Sequence, residues 1–304
     1  MEQNEQLALL QEAAEQAGCR SCRNERMSEH TTFAVGGPVD LMLTVPNLDA
    51  LRLVLSTLRR LELPYHVMGK GSNLLVSDEG IRGVMLVLSD EFAKLEVTGN
   101  RITCGAAMSL TGLSKAAADH SLTGMEWAWG IPGSVGGGLF MNAGAYDFEM
   151  KNVIVSADFL QEDGTLVTLQ KEEMDLSYRH SAFQRKKGII TSVTVELQPG
   201  DEQAIREKVK DFMTRRSEKQ PLNYPSAGST FKRPEGHFAG KLIEDCGLKG
   251  KRVGGAAVSE KHAGFVINQD HATCRDILDL IHLIQETVKT ETGVDLECEI
   301  RYLS

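Results

Sequence analysis

The stretch from Gly130 to Ala145 reads GIPGSVGGGLFMNAGA and carries six glycines in sixteen residues, with Pro132 and Ser134 among them. It shows neither a helical nor a strand period, so a loop is expected. Each glycine gives up more backbone entropy on folding than any other residue, so a cluster this dense marks backbone that turns tightly or approaches something closely. A second such segment, GKGSNLLV from Gly69, follows a strand over Tyr65–Met68 and runs into apolar stretches at Leu74–Val76 and Val84–Leu88. Consecutive N–H groups in such turns bind anions without help from side chains, and two of these loops among short strands suit a diphosphate-containing ligand. The first loop is not the dinucleotide fingerprint of a Rossmann domain. Leu74 stands where the third glycine belongs, and a strand rather than a helix follows. There is also no GxxxxGK[ST] sequence of a P-loop.

The remaining composition narrows the ligand. At 304 residues the chain suits two or three domains. A formal charge of −9 with no basic run argues against nucleic acid, so an anionic ligand must be compact and met by local cations or amides. No stretch approaches the roughly 18 apolar residues of a membrane span, and the acidic start MEQNEQLALLQEAAEQAG does not resemble a signal peptide, so a cytoplasmic protein is expected. Six cysteines are too few and scattered for a disulfide framework and are expected as free thiols. Cys19 and Cys22 form a lone CxxC with no partner pair, and no metal is expected.

Along the chain, Leu51, Val54, Leu55 and Leu58 mark a helix that ends before Pro64, and Ser109–Ala118 reads as another. Asp163-Gly164 between Ile154–Leu160 and Leu166–Leu169 signals a hairpin, and Ile189 to Leu197 alternates as a strand. A break at 198–201 precedes a helical stripe of Ile205, Val209, Phe212 and Met213. Beyond it come a short helix over Ala239–Cys246 stopped by Gly247, a strand at Gly264–Asn268, and a long helix. Thr273 with Asp276 caps that helix, Ile277, Leu280, Ile281, Ile284 and Val288 form its buried face, and Gly293 ends it. Val294 to Tyr302 reads as one clean strand. The expected class is α+β, with domains at 1–203 (subdomains about 1–88 and 89–203) and 204–304.

Several segments together resemble the UDP-N-acetylenolpyruvoylglucosamine reductase (MurB) family, in its shorter, second type. They are TTFAVGGP from Thr31, GKGSNLLV, GIPGSVGG from Gly130, MNAGAY from Met141, Tyr178-Arg179, GSTFKRP from Gly228 and EIRY from Glu299. The resemblance spans nearly the whole chain, in the family's order and spacing. It implies an FAD-binding domain of the vanillyl-alcohol oxidase (PCMH) type, followed by a smaller α+β substrate-binding domain. The implied cofactor residues are Gly69, Lys70, Gly71, Ser72, Asn73 and Leu74 in the first loop. Those of the second are Ile131, Pro132, Gly133, Ser134, Gly136, Gly137, Asn142, Gly144 and Ala145. FAD is expected to be non-covalent, because Ser72 stands where covalent relatives carry a histidine.

The implied reaction is reduction of UDP-N-acetylglucosamine enolpyruvate to UDP-N-acetylmuramate by NADPH through FAD. Hydride addition leaves negative charge on the carbon α to the substrate carboxylate, which calls for a preorganised cation. Arg179 matches the family's catalytic arginine, Glu299 the carboxyl group acting with it, and Ser229 the residue that protonates the α carbon. Arg216, Lys219, Lys241, His262 and, weakly, Tyr178 are candidates for the substrate side. The insertion that carries a tyrosine loop over the substrate in longer members is missing, so that contact is not carried over. His30 stands where an asparagine is common before Thr31. A monomer or weak homo-oligomer is expected. Two alternatives stay open at this point: another flavin oxidoreductase on the same FAD-binding domain, and a non-catalytic nucleotide-binding protein.

Overall fold

The computed structural model describes residues 2–304. Among the described residues are seven α-helices: α1 (Gln3–Gln16), α2 (Leu48–Leu61), α3 (Leu110–Asp119), α4 (Val135–Phe140), α5 (Glu202–Lys219), α6 (Ala239–Asp245) and α7 (Cys274–Thr292). The chain divides into two compact units, and neither is one continuous segment. The first takes the chain up to Arg23, Asp40–Lys70 and Gly83–Thr214; the second takes Asn24–Val39, Gly71–Arg82 and Arg215–Ser304.

The first unit is built on two sheets. One orders its strands Arg20–Arg26, Pro38–Val45, Ile81–Leu88 and Tyr65–Met68, the last two pairing in parallel with Tyr65 opposite Val84. Beside it, α2 forms because Asn47 accepts the Ala50 N–H at 2.9 Å as N-cap. The helix stops at Glu62, which is left-handed. The other sheet is antiparallel, in the order Leu166–Gln170, Ile154–Gln161, Gly188–Glu196, Arg101–Gly105, Leu95–Thr98. The Asp163-Gly164 hairpin closes it, with Gly164 at φ +89° and the Thr165 N–H on Asp163 Oδ1. Leu41, Leu51, Val84, Trp127, Val135, Phe159 and Val193 belong to its continuous core.

In the second unit, α7 packs Ile277, Leu280, Ile281, Ile284 and Val288 against Ala256 and Val266 from a three-stranded antiparallel sheet, and against Phe33 and Leu75. Its capping box forms, and the carboxylate of Asp78 adds a second cap by accepting from the Cys274 and Arg275 N–H groups. Gly293 takes the left-handed conformation, φ +75°, that stops the helix.

Two expectations fail locally. The Gly130–Ala145 stretch is not all loop, since Ser134 caps the short helix α4 and Gly144–Ala145 pairs with Phe148–Glu149. The C-terminal segment is not one clean strand. Glu299 N–H bonds to Thr230 O, but Arg301 N–H bonds to Asn73 O, and only Arg301–Leu303 pairs as a strand, in parallel with Leu74–Val76. This change of partner interrupts the alternation, leaving Leu296 and Ile300 buried but Tyr302 exposed. α5 begins at Glu202, beside the expected boundary at 203/204. Its part through Thr214 groups with the first unit, where Tyr146 stacks on Phe212 and Lys208 lies 3.5 Å from buried Glu126. All six cysteines are free, and burial raises the Cys19 thiol pKa.

Candidate functional site

The first glycine loop joins the strand Tyr65–Met68 to Leu74–Val76. Gly71 is left-handed at φ +63°, and a Cβ there would fall 2.1 Å from the His30 carbonyl oxygen, so only glycine fits. The Thr32 N–H bonds to Gly71 O. His30 itself pairs with Glu25 at 2.8 Å, which gives a position puzzling in the sequence a supporting role behind the loop. On the far side, Asn73 Nδ2 donates to Glu299 O and Asn73 O accepts from Arg301 N–H. Among the described residues, nothing accepts from the N–H groups of Lys70, Gly71, Ser72 and Asn73. Four successive donors without protein partners, on a backbone turned by a left-handed glycine, are groups of the kind that bind anions in turns. Lys70 is exposed beside them, and Leu74 begins the strand that pairs with Arg301.

The second stretch is built differently. Ile131, Gly133, Val135, Gly136 and Gly137 all donate their N–H groups within the first unit, Gly137 to Ser134 Oγ at 3.2 Å. A Cβ on Gly136 would come 2.8 Å from Ala106 Cβ, and one on Gly138 3.1 Å from Leu110, so these glycines let α4 press onto its neighbours. Gly137 faces outward, and a Cβ there would meet only Ser134 Oγ, at 3.2 Å. Gly69 touches this wall, since its Cβ would strike Ser134 Oγ at 2.2 Å. The two loops therefore differ: the first leaves backbone amides without protein acceptors, and the second is close-packed with Pro132 and Gly137 exposed. Asn142 is fully buried and left-handed, and its amide donates to Glu149 and to Ser177 O and accepts from Lys151 N–H. Gly144 and Ala145 form a hairpin with Phe148–Glu149 through Tyr146 and Asp147, both left-handed in the type I′ pattern.

Arg179 sits in a tight turn where Ser177 and His180 exchange two backbone hydrogen bonds. Its φ is +53°, in the position of a turn that favours glycine. A bulky residue held there costs about 1–2 kcal/mol, and such outliers gather at functional positions. The guanidinium reaches the Gly144 carbonyl at 3.4 Å and lies 4.9 Å from the Tyr178 ring centroid. Arg179 thus stands against the glycine-rich segment of its own unit, with Tyr178 exposed beside it.

In the second unit, Ser229 follows left-handed Gly228 and is exposed. The next residue, Thr230, is fully buried, bonds its N–H to Gly264 O, and accepts the Val266 N–H on Oγ1. Phe231 faces Cys298, Lys232 N–H bonds to Glu297 O, and Glu299 N–H bonds to Thr230 O. This register sets Glu299 opposite Thr230 and one position away from Ser229. His262 joins the group through Gly264, whose N–H donates to Nδ1 at 3.1 Å. Burial lowers the His262 pKa, which favours the neutral ring. The nitrogen that accepts fixes the tautomer, leaving Nε2–H as a donor. Lys241 binds Asp245 one turn along α6 at 2.5 Å, Lys219 is exposed on α5, and Arg216 is half-buried there. Thr230 and Gln184, a donor to Arg179 O, were not singled out in the sequence. Neither carries a local signal, because their importance lies in what they touch.

The chain matches two family models, one described as UDP-N-acetylenolpyruvoylglucosamine reductase, C-terminal domain, over residues 220–303, and one as FAD binding domain over 39–170. The UDP-N-acetylenolpyruvoylglucosamine reductase of Clostridium botulinum (strain Alaska E43 / Type E3) is 50% identical over 280 residues, covering 92% of each chain. That of Clostridium kluyveri (strain NBRC 12016) is 49% identical over 280 residues, again 92% of each. The crystal structure of the reductase (MurB) from Thermus caldophilus matches with a TM-score of 0.82 at 34% identity, over 94% of this chain and 100% of that one. Berberine bridge enzyme from Eschscholzia californica shares the fold alone, at 13% identity and a TM-score of 0.51 over 64% of this chain and 44% of its own.

Proposed function

We infer the residue-level chemistry from one premise: the chain belongs to the UDP-N-acetylenolpyruvoylglucosamine reductase family. It is an enzyme, a UDP-N-acetylmuramate dehydrogenase that uses FAD and NADPH to reduce UDP-N-acetylglucosamine enolpyruvate in peptidoglycan precursor synthesis. Identity of 50% sustained along 92% of the chain carries this reading.

The residues present fit FAD. The N–H groups of Lys70 to Asn73 suit its diphosphate, and the outward Gly137 and Pro132 leave room for a flat ring against the second stretch. What bound FAD supplies is hydride transfer, from NADPH to the terminal enol-ether carbon of the substrate. The chain must then manage the charge and the proton. We assign Arg179 to stabilise the negative charge that builds beside the substrate carboxylate, and Glu299 to act with it there. Ser229 delivers a proton to the α carbon. A hydroxyl is a weak acid in water, so Ser229 relies on cationic neighbours or a water relay for fast delivery. Arg216, Lys219, Lys241, His262 and Tyr178 are assigned to hold the anionic nucleotide substrate. Residues 1–203 are proposed as the FAD-binding part and 204–304 as the substrate-binding part. Cytoplasmic operation is supported by the nucleotide-linked substrate and NADPH, and a monomer or weak homo-oligomer is proposed. Among the described residues, no helix is long and apolar enough to cross a membrane.

Rapid mixing followed by flavin absorbance tests the assignments. Ser229→Ala is expected to keep reduction by NADPH and to slow reoxidation by the enolpyruvyl nucleotide by about 10²–10⁴-fold. Equal slowing of both steps removes Ser229 as proton donor, and a colourless preparation that FAD does not restore removes the whole assignment.

A further inference from the structure

We propose that Gln184 is the positioning residue of Arg179, an inference that rests on the catalytic role assigned to that arginine. The left-handed φ of Arg179 opposes its own conformational preference, so something outside the residue must hold it. Two grips do so. On one flank of the turn, Asn142 Nδ2 donates to Ser177 O at 2.9 Å. On the other, Gln184 Nε2 donates to Arg179 O at 3.0 Å and to Phe140 O at 3.1 Å. Ser181 Oγ donates to the same Phe140 carbonyl at 2.7 Å.

Phe140 is the last residue of α4, and Asn142 lies two residues beyond it. The turn bearing the arginine is thus suspended from the end of the glycine-rich helix, and Gln184 bridges the two with both amide hydrogens. The arginine's location then follows the segment proposed to face FAD. Stabilisation of developing charge depends on such placement, because a shift near one ångström in a charged group is enough to lose most of its effect. Asn142 is wholly buried and supports Glu149 and Lys151 as well, so replacing it mixes folding with function. Gln184 is half-buried, which makes it the cleaner probe.

Gln184→Glu keeps the shape but removes both donors and turns a carboxylate toward two carbonyl oxygens. In the FAD-loaded enzyme, reduction by NADPH should stay within about twofold, and reoxidation by the enolpyruvyl nucleotide should slow by about 10–100-fold. In an Arg179→Ala background the same change should add nothing, because the residue it positions is gone. Full additivity in that double variant overturns the proposal, as does equal slowing of both half-reactions. If Gln184→Glu loses FAD, Gln184→Met, which fills the space without donors, takes its place; loss of FAD from both shows a structural role and overturns it too. If Arg179→Ala alone leaves reoxidation intact, the catalytic reading of Arg179 fails, and the inference falls with it.

Discussion

At the scale of the residue, the role proposed for Arg179 and the strain in its backbone favour different side chains. Glycine would accept φ +53° without strain, so Arg179→Gly should unfold at or above the parent's midpoint, whereas Arg179→Ala should unfold lower than the glycine variant by about 1 kcal/mol. Both should lose substrate-driven reoxidation. Denaturant curves beside rapid mixing check this, and a glycine variant less stable than the alanine one would show the backbone is not strained. His262 offers a pH test. Its pKa is lowered chiefly by burial; a backbone hydrogen bond opposes this, Lys249 adds to it and Glu244 opposes it. The unfolded chain binds the proton near about pH 6.5, so there it holds more protons than the native state. The contribution of His262 is therefore full above that pH and is lost as pH falls toward the lowered native value. His262→Asn, which keeps an acceptor for the Gly264 N–H, should lose less stability than the parent between about pH 7.5 and about pH 5.5. Equal losses would place the titration elsewhere.

At the scale of the element, α4 sets helix propensity against packing. Alanine is favoured over glycine within a helix by about 1 kcal/mol. At Gly136 a Cβ meets Ala106 Cβ at 2.8 Å, so Gly136→Ala should destabilise the protein and lower its FAD content. At Gly137 the contact is only Ser134 Oγ at 3.2 Å, so Gly137→Ala should leave the apoprotein as stable while weakening FAD binding. Titrating FAD into both apoproteins separates the two, and unchanged affinity in Gly137→Ala would turn that residue away from the cofactor. This contrast also marks what the sequence could reveal. α7 was legible from end to end, because its cap, apolar stripe and terminal glycine are local signals. The Asp163-Gly164 hairpin was equally legible. α4 was not, since six residues with three glycines carry no period and the helix exists through its Ser134 cap and its neighbours. The difference between the glycine loops was hidden for a related reason: whether an amide is free depends on distant acceptors such as Ala106 O and Met108 O. The roles proposed for Arg179, Ser229 and Glu299 rest on the company of their motifs, because each alone reads as an ordinary polar residue. The left-handed turn at Arg179 and its bond to Gln184 had no sequence signature.

At the scale of the whole molecule, the chain returns to its early segments. Arg301–Leu303 pairs with Leu74–Val76, Ser77 N–H bonds to Leu303 O, and Asn73 is held between Glu299 and Arg301. Removing residues 301–304 should therefore loosen the first glycine loop and sharply reduce bound FAD, read as the ratio of flavin to protein absorbance. Undiminished flavin would show that the loop stands without this strand. The second unit, with its three separated stretches, also sets an order of events on the ribosome. Phe33, Val35 and Leu75 belong to a core whose other members begin at Ala227. At about 5–20 residues per second, they wait on the order of ten seconds or more for those partners to be synthesised. During that interval their apolar faces stay without their native partners, and the first glycine loop lacks its backing strand. Until Leu303 has been made, Leu74–Val76 has no strand to pair with, so the last residues to leave the ribosome complete a sheet begun with some of the first.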